Sequence, residues 1–413
     1  MKRLINLFLA LIAVFGGLLH AQDKKFVPIT TYPRGDTILI KKHDVSYQWD
    51  LYDAIGSLFS KYAAAPKKDS VTKKPIISIV PAFGYTLQSK FAVTLAGNIA
   101  FRATPASKIS TIVVNIAYTQ TRQIIIPILS NIWTAGNQYK FVGDYRYLKY
   151  PQSTYGLGSS SSILNKDRMD YSLVRFNETV FRHISGDFFA GIGYAFDDHF
   201  DIEEKGLKNG TISDYEKYGR STNTISSGIT FNSLFDSRDN SINASKGFYG
   251  ALQYRDNKPF LGSTSRWQSL IIDLRKYYHF PAGSNNVIAF WSYNWLVISG
   301  KTPYLDLPSN TWDPSSGTGR GYIQGRFRGA QMVYLETEYR FGLTRNGLLG
   351  GVVFVNAQSF SAAQGSNLQG IQPAIGPGIR LKLNKVTKTN IAIDYGIGRQ
   401  GSRGLFINVG EVF

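Results

Sequence analysis

The residues best equipped for chemistry lie in one stretch, Gly319–Phe341, which reads GRGYIQGRFRGAQMVYLETEYRF. Its first half carries guanidinium groups on a glycine-rich backbone. Arg320-Gly321-Tyr322 is the sharpest cluster, because Gly321 permits tight backbone approach and an arginine can fork bidentately onto a carboxylate. Its second half carries the carboxylates Glu336 and Glu338, two residues apart and therefore on one side of an extended segment. Such a pair can do acid/base work or supply the counter-charge of an enclosed arginine; neutralising arginines is the favoured role. Arg320 itself reads either as a group folded inward onto those acids or as a solvated surface arginine. A second polar cluster, Asp236-Ser237-Arg238-Asp239-Asn240 followed by Lys246-Gly247, reads as structural: Asp and Asn bond their own backbone and fix a tight turn, so Asp236, Arg238, Asp239 and Gly247 mark a turn rather than a catalytic set.

Nothing else in the chain assembles into a reaction centre. His43, His183, His199 and His279 fall on different predicted elements without metal-ligand spacing. The sequence has no G-x-S-x-G elbow, and Gly156–Ser162 lacks the Gly-Lys-Ser/Thr of a phosphate loop. The absence of cysteine removes disulfides, thiolate metal sites and thiol nucleophiles. No catalytic residue, cofactor or metal is expected.

The elements that must position these groups are strands. Tyr334, Glu336, Glu338 and Arg340 alternate strictly with Val333, Leu335, Thr337, Tyr339 and Phe341, the signature of a strand between two different environments. Ile391, Ile393, Tyr395 and Ile397 alternate in the same way with Asn390, Asp394 and Gly396, and the apolar set is expected to face lipid. Trp291, Tyr293, Trp295 and Val297 are expected to face lipid as well, with Ser292 and Asn294 inward. From Pro75 onward about sixteen such segments follow one another. Short turns at Thr104–Lys108, Ile184–Ser185 and Phe341–Asn346 alternate with long connections at Pro151, Asp201 and Thr302. This is the asymmetry of a membrane barrel with both termini periplasmic. In lipid every backbone group needs a partner, so the sheet must close. The expected fold is all-β: a transmembrane antiparallel β-barrel of about sixteen strands with a short N-terminal periplasmic extension. Gly319–Phe341 then spans the long loop after the eleventh strand and the twelfth strand.

Composition agrees. The 413 residues include 40 Gly, 25 Tyr, 26 Phe and 6 Trp, the mix of turns and aromatic girdles in barrels. The net charge is +18, but Lys and Arg are spread over the whole length, which argues against nucleic acid. Outer-membrane lipid with anionic head groups, lipopolysaccharide included, is the expected partner. Lys2 and Arg3 before the apolar Leu4–Leu19, with Leu19-His20-Ala21 before Gln22, read as a secretory signal peptide over residues 1–21. Residues 22–74 form a periplasmic extension. Trp49, Tyr52, Ile55, Phe59 and Tyr62 within it are spaced for one helix over 47–62. Residues 75–413 are the outer-membrane barrel. Its last strand, Gly404–Phe413, aligns Leu405, Ile407 and Val409 with Phe413, the terminal aromatic that outer-membrane barrels present to their assembly machinery.

Four motifs in order resemble the outer-membrane protein-assembly superfamily, the BamA/TamA-type barrels or bacterial surface antigen domain, over roughly Lys74–Phe413. Arg320-Gly321-Tyr322 resembles the family's Val-Arg-Gly-Phe/Tyr loop motif. Glu338-Tyr339-Arg340 resembles the strand that follows it. DSRDN with Lys246-Gly247 resembles a periplasmic turn, and IAIDYGIG with GEVF resembles the family's end. The resemblance implies sixteen strands, with a poorly paired, laterally opening seam between Pro75–Leu87 and Gly404–Phe413. It implies a loop inside the lumen whose arginine, here Arg320, is held by wall acids. It also implies client proteins and periplasmic or lipoprotein partners, inserted or translocated without nucleotide or metal. Two departures stand out. Residues 22–74 are too short for a full POTRA module. Asn356, in Phe354–Gln358, stands where the family often has an acid, so Glu336 and Glu338 are the expected partners of Arg320, making loop and strand a self-contained lock. The competing reading is a passive pore or structural barrel that has lost insertase activity, and an enzyme comes third.

Overall fold

The structure is a computed structural model and describes residues 48–51, 53, 54, 75–86, 88–208, 210–385 and 387–413. The chain divides into two compact units, residues 1–42 with 53–70 and residues 43–52 with 71–413; the second contains the barrel. The expected signal peptide and most of the expected helix over 47–62 lie outside the described residues, although Leu51, Asp53 and Ala54 are helical.

The wall starts with β1 (Ile76–Thr86), β2 (Lys90–Phe101), β3 (Ser110–Thr119), β4 (Ile124–Trp133) and β5 (Tyr139–Lys149). After the short loop strand β6 (Gln152–Thr154) come β7 (Asp167–Ser185), β8 (Phe188–Leu207), β9 (Thr224–Asp236), β10 (Gly247–Asn257), β11 (Trp267–His279) and β12 (Val287–Gly300). The last five are β13 (Gln331–Gly342), β14 (Leu349–Ser361), β15 (Gln372–Asn384), β16 (Thr389–Gly398) and β17 (Arg403–Val409). Fifteen antiparallel ladders join the sixteen wall strands in chain order, giving a nearly closed barrel. β1 and β17 run beside each other, but among the described residues no backbone ladder joins them. About 9–11 residues suffice to cross a bilayer. β7 and β8, at 19 and 20 residues, therefore project well beyond it. The expected charged loop from Asp201 is in part this projection. It ends in the helix α1 (Asp214–Tyr218), capped by Ser213, whose hydroxyl accepts from the Glu216 amide at 3.0 Å.

The period of two sets the faces where the lumen is polar. On β16, Ile393, Tyr395 and Ile397 are exposed while Asn390 and Asp394 are buried. On β13, Tyr334, Glu336, Glu338 and Arg340 are buried and Leu335 is exposed. The expectation for β12 is reversed: Trp291, Tyr293 and Val297 are buried in the lumen, whereas Phe290 and Ile298 face outward. The reason is that this sector of the lumen is a packed core, not water. Trp291 and Tyr293 cluster with Tyr322 and Phe327 of the 301–330 loop and with Val412 and Phe413.

The expected alignment of Phe413 with Val409 is corrected too. β17 stops at Val409, which is exposed, and Gly410 takes φ +102°, a left-handed value that turns the chain. Residues 411–413 enter the lumen, where the Phe413 ring stacks on Trp291 at 5.0 Å and its carbonyl oxygen accepts from Arg340 Nη2 at 2.9 Å. Ala244 of the β9–β10 turn packs into the same cluster. At the rim of short turns, residues 48–51 lie against the barrel, the Trp49 amide donating to Asn346 O at 2.9 Å and Asp50 Oδ2 accepting from the Lys385 amide at 3.2 Å.

Candidate functional site

Loop 301–330 folds back into the barrel. Its three arginines Arg320, Arg326 and Arg328 are each at most 2% exposed, and they are partnered in different ways. Arg320 meets carboxylates: Nη2 donates to Glu336 and Glu338 of β13, and Nη1 donates to Asp394 Oδ2 of β16 at 2.6 Å. The guanidinium also sits 3.8 Å from the Phe354 ring centroid, a cation–π contact strengthened by desolvation. Arg326 and Arg328 meet neutral oxygens. Arg326 reaches the Ser161 hydroxyl and carbonyl at 3.0 and 2.7 Å and Gln400 Oε1 at 2.8 Å. Arg328 Nη1 gathers the carbonyls of Tyr304 and Leu305, both at 3.0 Å, and folds the loop on itself.

The Arg320 site continues along the wall. Glu338 Oε2 accepts from Arg340 Nε at 2.7 Å, and Arg380 bridges Asp394 Oδ1 at 2.6 Å and Glu411 Oε2 at 2.7 Å. The chain thus collects three arginines and four carboxylates in one buried network. The Asn356 side chain makes no hydrogen bond to the guanidinium; its Nδ2 donates to the backbone carbonyl of Arg320 at 3.0 Å. The expectation of a lock closed within loop and following strand is therefore incomplete, because Asp394 supplies a third acid from three strands away.

Backbone closeness makes this geometry accessible. Gly321 has φ +103°, and a Cβ there would lie 2.7 Å from Ala374 Cβ. A Cβ on Gly396 would lie 2.5 Å from the Gly321 nitrogen, and one on Gly398 would lie 2.6 Å from the Tyr322 ring. The loop rides directly on a glycine groove of β16. Tyr322 closes it, donating its hydroxyl to Pro373 O at 2.7 Å and accepting from the Arg399 amide at 2.9 Å. Asp394, Gly396 and Gly398 were visible as members of IAIDYGIG, but their role in seating the loop carries no local signature.

A second anchor at the start of the loop had no sequence signal. Asp306 is buried against the opposite wall, with Oδ2 accepting from Ser226 Oγ of β9 at 2.6 Å and Oδ1 lying 3.5 Å from His199 Nδ1 of β8. Behind it Asp197 is held between Arg175 Nε at 2.5 Å and Arg255 Nη1 at 2.6 Å. These groups surround a cavity of about 20 Å³, space for a single water. His183 and His279 lie on other strands, β7 and β11, and His43 lies outside the described residues.

The β9–β10 turn lies at the other rim. Arg238 forks onto Asp236 with two 2.8 Å bonds. Asp239 accepts from the Ser245 amide at 2.8 Å and hydroxyl at 2.7 Å. Burial pushes the Asp239 carboxyl up, but these bonds and those from the backbone outweigh it and hold it below the ordinary range. Gly247 takes φ +107° where a side chain would run into Ser237 O. The turn reaches toward β15–β16: Asn240 donates to Thr387 O at 3.4 Å, and Lys388 Nζ lies 3.4 Å from Asp239 Oδ2.

An Omp85 superfamily domain matches residues 115–402. The crystal structure of BamA from Haemophilus ducreyi lacking POTRA domains 1–3 is similar with a TM-score of 0.52 at 12% identity, covering 82% of this chain and 69% of that one. CdiB from Acinetobacter baumannii is similar with a TM-score of 0.51 at 11% identity, covering 82% of this chain and 60% of that one, so the chain spans less than two thirds of CdiB. At these identities the likeness is one of fold. No curated protein matches the sequence.

Proposed function

The chain belongs to the Omp85 superfamily, and from that premise we propose that it works in the outer membrane as an assembly or translocation barrel, acting on protein segments at the β1–β17 seam. The seam is the observation that carries the reading. β1 has 11 residues and β17 only 7, and no ladder joins them among the described residues. Unpaired strand edges recruit other strands through their free N–H and C=O groups, and adding a strand to an exposed edge is a general mode of peptide recognition. Along β1 the outward residues Ile77 and Ile79 are exposed, so a segment paired there would sit in lipid.

The lumenal loop fits this role. With Arg320, Tyr322, Phe327 and Phe413 buried inside the barrel, a through-route is filled and the lateral route is favoured. Arg320 is the proposed lock, with Glu336, Glu338 and Asp394 its acids and the Asn356 amide its carbonyl clasp. Residues 22–74, after a signal peptide over 1–21, are the proposed periplasmic extension. The contact of Trp49 and Asp50 with the turns supports this rim as the docking place for a periplasmic or lipoprotein partner. The net charge of +18 supports contact with anionic head groups.

The test is a cysteine pair across the seam, at Ile79 and Ile407. Oxidative closure should stop the chain from supporting assembly of other outer-membrane proteins, and reduction should restore it. Depletion should lower the level of at least one such protein. If depletion leaves the outer-membrane protein profile unchanged while the purified barrel conducts ions with the seam closed, the chain is a passive pore and the reading is wrong.

A further inference from the structure

Beyond the seam and the lumenal loop, the rim of long loops contains a polar cavity of about 100 Å³ between the start of β7, the end of β8, the 211–214 segment and Tyr304. Oxygen-bearing side chains make up most of its lining, with Thr154, Asn165, Ser213, Asp214 and Tyr304 around Asp167, alongside the apolar Leu207 and Ile212 and the ammonium of Lys217. Asp167 is the anomaly. It is 1% exposed, and neither carboxylate oxygen meets a hydrogen-bond donor at bonding geometry. A buried carboxylate in that state is costly unless something neutralises it.

Every charged side chain near the site is already occupied or repels it. Glu204, beside Asp167, accepts from the Ser213 hydroxyl and, at 2.7 Å, from Arg220 Nε. Asp214 accepts from the Leu157 amide at 2.9 Å and from Lys217 Nζ at 3.3 Å. Burial, and then hydrogen bonding to and repulsion by the neighbouring Glu204 carboxylate, push Asp167 up to about 7, against the Gly206 backbone and Arg220, which pull it down. Asp167 therefore lacks a countercharge, and the space beside it is polar and large enough for a hydrated ion.

We propose that this cavity binds a calcium ion, with the Asp167 carboxylate as its anionic ligand and neutral oxygens of Thr154, Asn165 and Tyr304 together with water completing the shell. Calcium suits such a site because it takes 6–8 oxygen ligands in irregular geometry, carbonyls, amides and waters included. Among the described residues no three acidic or histidine side chains converge on one point. With so little anionic charge the affinity falls in the weak range of extracellular modules, about 10⁻⁴–10⁻³ M. The ion would tie β7, β8 and the 211–214 segment to Tyr304, two residues before the Asp306 anchor of the lumenal loop.

The test is hydrogen exchange of the full-length purified barrel titrated with calcium chloride against sodium chloride at matched ionic strength. Calcium should slow exchange in residues 152–167 and 210–218 several-fold with a midpoint between about 0.1 and 1 mM, and Asp167→Asn should abolish the response. Exchange in the C-terminal strands serves as the folding control for the variant. Two results would overturn the proposal. One is a response equal in Asp167→Asn and wild type, or absent in both. The other is full protection without calcium as pH falls through about 7, mimicked at neutral pH by Asp167→Asn; that would mean Asp167 and Glu204 share a proton instead, since a raised carboxyl pKa stabilises the folded form only below it.

Discussion

The lumenal loop is tied down at two ends of opposite polarity. At Arg320 a cation on the loop enters a wall of acids from β13 and β16. At Asp306 an anion on the loop faces β7–β10, where Arg175 and Arg255 outnumber Asp197. The partnering is unequal. Arg320 makes three ion pairs and stacks on Phe354, whereas Asp306 has one hydroxyl bond and a 3.5 Å approach to a histidine. A buried ion pair is poor evidence of net stability, but removing one partner strands the other in a low-dielectric site. The Arg320 end should therefore behave as the lock and the Asp306 end as a guide that sets where the loop enters.

The largest effect is expected at the lock. Arg320→Ala strands Glu336, leaves Glu338 and Asp394 to Arg340 and Arg380 alone, and should destabilise the seated loop by about 3–5 kcal/mol, read as lost protection across residues 301–330 and a lower unfolding midpoint in urea. Arg320→Lys keeps charge but not the fork and should fall between. A variant as resistant to unfolding as wild type, with loop exchange unchanged, would remove the lock. At the other end, Asp306→Ala should cost about 1.5–3 kcal/mol, the range for a hydrogen bond to a charged group. Its exchange signature should be confined to residues 301–310. If Asp306→Ala loosens the Arg320 segment as much as Arg320→Ala does, the two ends are one unit and the distinction fails.

Gly396→Ala tests the same end by shape alone. The added methyl would fall 2.5 Å from the Gly321 nitrogen, and overpacking of this kind typically costs about 1–3 kcal/mol. It should unseat the loop with every charge intact. A neutral result would mean that charge holds the loop without backbone contact on β16.

The sequence made one side of this comparison legible and left the other silent. Alternation in Tyr334–Phe341 put Glu336 and Glu338 on the lumenal face of β13, and the same period put Asp394 inward on β16. That Asp394 reaches Arg320 is a fact of barrel curvature, since 74 residues separate them in the chain. Asp306 is one of two acids, with Asp313, in an aperiodic loop, and nothing local distinguishes it from a solvated one. Period-two reading failed on β12 for a definite reason: it assigns apolar residues to lipid, but the loop and the 411–413 tail make this part of the lumen apolar as well. For Phe413 the failure lay in one residue, Gly410, whose left-handed backbone ends the strand that alternation would have continued.

Asn356 offers the finest discrimination. The resemblance implies an acid at this position, yet here its amide nitrogen holds the Arg320 carbonyl at 3.0 Å, and its oxygen has no donor. Asn356→Ala removes one neutral hydrogen bond and should cost about 0.5–1.5 kcal/mol. Asn356→Asp removes the same donor and adds a carboxylate to a network in which four acids already face three arginines. It should therefore loosen residues 318–323 more than alanine does. The opposite order, with aspartate tightening the loop, would mean that Arg320 can turn from Asp394 toward β14 and that this end is governed by total negative charge rather than by the particular acids that now hold it.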